Sequence, residues 1–171
     1  AVLLQHAIDS IAGTFYTQVL FADFELQAHR LVEQDQPVTA DTLNELYARL
    51  LKEYYGGVID EEELSRVTWA RIPHFFNSPY YVYQYATCFA STARLMQDLR
   101  APATREQAVS RYLSLLRAGG SDYPMNLLAR AGVDLSRPET VRAVAAELEV
   151  LVTRLEQELI GLIRRRRVAT A

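Results

Sequence analysis

The chain has 171 residues, half of them hydrophobic, and a formal net charge of −3. That length and apolar share are enough for one domain with its own core and exclude a disordered tail, while the mild acidity gives no general attraction to nucleic acid. No apolar run reaches the roughly 18 residues of a membrane span. The single cysteine, Cys88, excludes an intrachain disulfide framework, and with no signal-peptide pattern in the sequence the expected location is the cytoplasm.

Apolar residues recur at helical spacing from the start: Leu4, Ile8, Ile11, Phe15, Val19, then Phe21, Phe24, Ala28 and Leu31. They predict one long helix over 2–34, buried on several sides. Gly13 interrupts it at a cost of about 1 kcal/mol, and close packing is the expected reason. Ala1 enters the periodicity with no capping residue before it, as in a chain cut inside a helix, so a piece of a longer polypeptide is expected. Glu25 and His29, four apart, are spaced to pair on one face; the plainer reading is a local structural contact. Asp35-Gln36-Pro37 ends this helix. Thr39 is placed to cap the next, whose stripe of Leu43, Leu46, Tyr47, Leu50, Leu51 and Tyr54 stops at Gly56-Gly57. Asp60 with Glu63 reads as the capping box of a short helix through about Ala70. Its consecutive glutamates are a solvated start favoured by the helix dipole rather than a metal site.

Between Pro73 and Pro79 lies an aromatic connector that holds His74. Four tyrosines follow within six residues, Tyr80, Tyr81, Tyr83 and Tyr85. Pro79 suits a helix's first turn, where a missing N–H costs nothing, so a helix is predicted from Pro79 to about Leu99. On it Tyr80 and Tyr83 share one face, and Tyr81 and Tyr85 another about 100° around the axis. An imidazole and phenols at a helix N-terminus can donate hydrogen bonds to a bound anion or carbonyl oxygen. Large amphipathic rings equally serve packing, and both readings stand. Ala86, Ala90 and Ala93 then form a small-residue stripe. Ala101-Pro102 breaks the helix, and Thr104 with Gln107 forms a capping box for another through Arg117. In Gly119-Gly120-Ser121 the two glycines leave backbone N–H groups unshielded, in a loop that either binds a peptide or phosphate or simply stops the helix. A short helix covers 125–131. Ser136 with Glu139 caps the last, whose apolar stripe runs from Val141 to Leu162 and ends in the basic run from Arg164 to Arg167, suited to the dipole. No strand, hairpin or repeat pattern appears. About seven helices make an all-α domain.

A zinc peptidase needs three protein ligands, usually drawn in part from His-Glu-x-x-His. The three histidines here, His6, His29 and His74, form no such motif, so the chain cannot build that site alone. It also lacks a nucleophile elbow, a phosphate-binding P-loop and a dinucleotide fingerprint. Yet a series of segments in fixed order closely resembles the C-terminal part of oligoendopeptidase F, of the thimet-oligopeptidase-like zinc peptidases. These are Thr14-Phe15-Tyr16 through Phe24-Glu25-Leu26-Gln27-Ala28-His29, Leu43-Asn44 through Tyr54-Tyr55-Gly56, and Trp69 with Ile72-Pro73-His74-Phe75. Tyr80-Tyr81-Val82-Tyr83-Gln84-Tyr85-Ala86-Thr87, Tyr112-Leu113 through Gly119-Gly120-Ser121, Pro124 and Gly132-Val133-Asp134 complete the series.

The resemblance implies that residues 1–171 are the C-terminal helical region of a larger, mostly helical zinc metallo-oligopeptidase. Its zinc helix lies upstream, and Zn2+ is held by residues outside this chain, with no metal ligand within it. Short peptides are the implied substrates and the remainder of the same polypeptide the implied partner, with no nucleic acid or membrane. His74 is implied near the scissile bond and Tyr83 as donor to the tetrahedral oxyanion, both catalytic. Tyr80, Tyr81, Gly119 and Gly120 are expected to bind substrate, and which of Tyr80, Tyr81 and Tyr83 meets the oxyanion stays open. The family usually carries Phe at the position of Tyr80 and commonly Gly at that of Cys88. Alone, the chain is expected to fold, to be inactive on peptides and to self-associate through apolar surface. The alternative functions are a non-catalytic helical module whose tyrosine-lined groove holds a peptide or partner helix, and a structural cap with an aromatic core.

Overall fold

The structure, a computed structural model, describes residues 1–58 and 65–169. Among the described residues the regular structure is all helical, as expected: α1 (Val2–Ile11), a π turn (Ala12–Tyr16), α2 (Thr17–Glu33), α3 (Ala40–Tyr55), a 3-10 segment (Ser65–Arg71), the one-turn α4 (His74–Asn77), α5 (Tyr83–Arg100), α6 (Arg105–Ala118), α7 (Pro124–Arg130) and α8 (Pro138–Ala169). The predicted cap at Asp60 and Glu63 lies outside the described residues. So do the side chains of Arg164, Arg166 and Arg167. No described helix is long and apolar enough to cross a membrane.

The residues divide into two compact units, one formed by Gly13–Ala86 and the other by Ala1–Ala12 with Thr87–Ala171. In the first, α2 and α3 pack with matching stripes. Leu20, Phe21 and Phe24 meet Leu46, Tyr47 and Leu50, and Val82 closes the cluster. The spacing i, i+1, i+4 on each helix is the stripe that one apolar face requires. A polar strip fixes how the two helices align. Tyr54 Oη donates to Asp23 Oδ2 (3.1 Å), Gln27 Nε2 to Asp23 Oδ1 (2.7 Å), and Arg49 to Gln27 Oε1 (2.5 Å). Burial, with the Asp23 charge beside it, pushes the Tyr54 phenol up to about 12. Trp69 Nε1 donates to Asn44 Oδ1 at 2.8 Å and so ties the 3-10 segment to α3. The predicted ends of α3 are observed. Thr39 Oγ1 accepts the N–H of Thr42, and Gly56 ends the helix with φ 67°.

In the second unit α1 packs on α8 and α6 on α7, with Ala90, Ala108, Val133, Ala143 and Val144 buried. Two predicted capping boxes are replaced by other bonds. The Thr104 hydroxyl donates to the carbonyl of Asp98 (2.9 Å) and makes no cap bond to α6. Ser136 gives both its N–H and its hydroxyl to Asp134 Oδ1 (2.9 and 2.6 Å), so Asp134 organises the turn before α8. Gly13 departs from expectation too. A Cβ there would meet nothing within 4 Å, so close packing does not explain it; the residue sits inside the π turn, where one extra residue widens the helix.

Asp122 anchors the start of α7. Its Oδ1 accepts the N–H of Tyr123 (2.7 Å) and Asn126 Nδ2 (3.0 Å), and Oδ2 accepts Arg130 (2.7 Å). The Arg130 bond first, then those from Asn126 and Tyr123, hold its carboxyl at about 2, below the ordinary 3.8. Because the folded value is depressed, this anchor is complete above the unfolded value and is lost as pH falls through about 2. Amide-exchange protection in α7 is therefore expected to drop between about pH 4 and 2. Asp122→Asn should flatten that dependence; an unchanged profile would remove the carboxylate from this role.

Candidate functional site

Two consecutive residues of α2 place the aromatic stretch. Phe24, only 3% exposed, lays its ring against Phe75 of α4 at 5.2 Å. Glu25, 4% exposed, accepts the backbone N–H of Tyr80 at 2.7 Å. Tyr80 has φ +57°, a left-handed conformation that costs a residue with a Cβ about 1–3 kcal/mol and persists only where its surroundings hold it. The ring of His29, with its centroid 4.6 Å from that of Tyr80, is a second restraint. Two residues on, Val82 is 1% exposed in the core.

These contacts overrule the predicted helix start. The chain stays irregular through Pro79, Tyr80, Tyr81 and Val82, and α5 begins at Tyr83. Tyr80 and Tyr83 thus do not share a helix face. Glu25 likewise binds the backbone of Tyr80, while His29, which the spacing offered as its partner, packs on the Tyr80 ring.

His74 opens α4 directly after Pro73. Its ring stacks on Tyr81, with centroids 5.4 Å apart and planes 11° from parallel, and meets Tyr85 edge-on at 6.3 Å and 87°. Tyr81 and Tyr85 close the triangle at 5.6 Å and 76°. A hydrogen bond with Tyr81 raises the Tyr85 phenol above its ordinary value, aided by slight desolvation and the Tyr81 charge. Tyr81 and Tyr85 are both exposed and His74 is half-buried. Tyr83, 48% exposed, begins α5 and is not among the ring partners of His74 in the described residues. The sequence places Tyr85 near Tyr81 by its i, i+4 spacing but assigns it no catalytic or substrate-binding role; the structure brings it into the cluster.

Beside the cluster, in the same unit, an apolar pocket of about 170 Å³ is lined by Phe24, Glu25, Ala28, His29, Trp69 and Phe76 among others. Gly119 and Gly120 belong to the other unit. Gly119, at φ 52° and ψ −130°, occupies backbone space that only glycine enters readily. Gly120 has no such constraint, and a Cβ there would meet nothing within 4 Å. Among the described residues no group of three or more His, Cys, Asp or Glu is placed to hold a metal ion.

Residues 1–146 match the profile of peptidase family M3. The chain belongs to that family. This M3 chain is similar to the oligoendopeptidase F homolog of Borreliella burgdorferi, at 38% identity over 150 residues, 88% of this chain and 24% of that protein. It is similar to oligopeptidase PepF of Bacillus subtilis at 35% over 159 residues, covering 92% and 23%. In structure it is similar to oligoendopeptidase-F from Enterococcus faecium, with TM-score 0.79 and 34% identity over 96% of this chain and 30% of that one. The M3 chain thus spans about a quarter of the length of the curated relatives it matches. The His74 cluster and the Gly119-Gly120 turn both fall inside the matched region.

Proposed function

We propose that the complete protein is a zinc metallo-oligopeptidase that hydrolyses short peptides, and that this chain supplies hydrogen-bond donors to the reacting carbonyl. The observation that carries the reading is the cluster in which an imidazole stacks on one exposed phenol and meets another edge-on, within a chain of the M3 family. In this reading His74 and Tyr83 donate to the carbonyl oxygen as negative charge develops on it, an effect worth roughly 3–4 kcal/mol for one such donor. Tyr80 and Tyr81, with the backbone at Gly119 and Gly120, contact the peptide. Zinc finds no ligand set among the described residues, so this chain contributes donors and their placement. The remainder of the same polypeptide is the proposed partner and the cytoplasm the proposed location.

The test is turnover of a fluorogenic short peptide by the complete gene product, with His74→Ala measured beside it. The reading requires cleavage, and a lower kcat in the variant. A protein that binds the peptide at the tyrosine cluster and never cleaves it is a binding module instead.

Gly120→Val separates a peptide-contacting turn from a helix stop. Its φ lies outside the left-handed region and the added Cβ has free space, so the melting temperature should stay near that of the parent. A several-fold rise in KM with kcat little changed is expected if backbone groups there meet the peptide. An unchanged KM would reduce the turn to a helix terminus.

A further inference from the structure

His74, one of the two proposed donors, works only if its ring is held in place, and the structure shows contacts that hold it. His74 and Tyr81 form the stacked pair, and each has a neighbour in sequence fixed by α2. Phe75, after His74, packs on Phe24. Tyr80, before Tyr81, gives its N–H to Glu25. One turn of α2 therefore grips both sides of the stack. The two grips differ in kind. The Phe24 contact is one of several ring contacts in a core, whereas Glu25 is a carboxylate withdrawn from water and set on a backbone group 55 residues away in sequence. A buried charge is costly unless it is bonded, and a bond from N–H to carboxylate is about twice as strong as a neutral one. The bonded residue is also the one held at positive φ. Without the acceptor, Tyr80 is free to relax toward the ordinary helical or extended region, and Tyr81 would turn away from His74.

We propose that Glu25 is a positioning residue of the site: its carboxylate locks the left-handed turn at Tyr80 and so sets Tyr81, and through it Tyr85, against His74. In this role Glu25 acts through the backbone of Tyr80 rather than as a donor of its own. The kinetic part of this inference rests on the proposed function, but the placement part does not.

Two measurements keep them apart. In the complete protein labelled with 13C-histidine, the resonances of His6, His29 and His74 are assigned by the one signal each lost in His6→Gln, His29→Gln and His74→Gln. His74 lies over Tyr81 and His29 against Tyr80, and both should be shifted by the ring currents of those tyrosines. Glu25→Met removes the acceptor at similar length, and Glu25→Asp withdraws it by one methylene while keeping the charge, a second route if the first variant folds poorly. Either should move the His74 and His29 resonances toward free-histidine values and leave His6, on α1, in place. Glu25→Gln keeps an acceptor oxygen and should leave all three. In the complete protein, Glu25→Met should lower kcat about tenfold with KM within about twofold, since misplaced groups lose rate more than binding, and Glu25→Gln should recover most of it. A His74 resonance unmoved in both Glu25→Met and Glu25→Asp overturns the placement. A lower melting temperature with unchanged kcat per folded molecule overturns the kinetic role. Moved resonances in a complete protein that cleaves no peptide uphold the placement and sink the proposed function.

Discussion

Replacing Tyr83 by phenylalanine in the complete protein is expected to lower kcat on the order of 10²-fold, with KM and stability little changed. The substitution removes one hydroxyl and keeps the ring. A donor that strengthens its bond only as the carbonyl oxygen gains charge acts on the transition state, so its loss appears in kcat. The core reading of the same residue predicts the reverse, normal kcat and the loss of a buried hydrogen bond worth about 1 kcal/mol. With 48% of Tyr83 exposed, there is little buried hydrogen bond to lose, which makes the two outcomes easy to separate. Tyr85→Phe is the informative companion. Its hydroxyl bonds Tyr81 inside the cluster, so if Tyr85 is the donor the kcat loss will follow that variant and Tyr83→Phe will be silent. Full kcat in Tyr83→Phe would end the case for Tyr83.

Phe24→Ala should be among the most damaging single changes to stability. Phe24 is buried and meets Tyr47 at 5.4 Å, Trp69 at 6.0 Å and Phe75 at 5.2 Å. Truncating a buried phenylalanine costs about 3–5 kcal/mol, more where neighbours cannot close the gap. Here the space would open into the existing pocket of about 170 Å³, with rings on its other sides, so collapse is hindered. Against a typical domain stability of about 5–15 kcal/mol this is a large share. Urea titration should show the midpoint falling with the slope unchanged, and Phe24→Leu should fall much less. A change under about 1 kcal/mol would mean that the ring stack is not what holds α2 to the 3-10 segment and α4.

What the sequence revealed and what it concealed divide by the range of the interactions. The cap at Thr39 and the stop at Gly56 were legible because each acts on its own helix. The stripe of Leu43, Leu46, Tyr47 and Leu50 was legible because one face repeats. The start of α5 was not. Pro79 and the following tyrosines look like a first helical turn, and the contacts that prevent it are an acceptor on α2 and a core that takes in Val82. No local pattern announces either. Thr104 failed as a cap because its hydroxyl turned instead to a carbonyl of the preceding helix six residues back. At the site, the sequence collected the imidazole and the phenols into one stretch. Which phenols touch His74 depends on the left-handed turn at Tyr80, which takes Tyr81 out of the helix while leaving Tyr85 within reach.

The way the two units divide the chain bears on events during synthesis. Gly13–Ala86 is one uninterrupted segment, and its helices can close on each other as soon as that segment has left the ribosome. The helix made before it has no such option. α1 packs on α8, and about 130 residues must be translated between them. At roughly 5–20 residues per second that is a delay on the order of 10 seconds. Throughout it, the side of α1 that packs on α8 lacks that partner while the aromatic centre is already closed, so the second unit is completed only when α8 has been made.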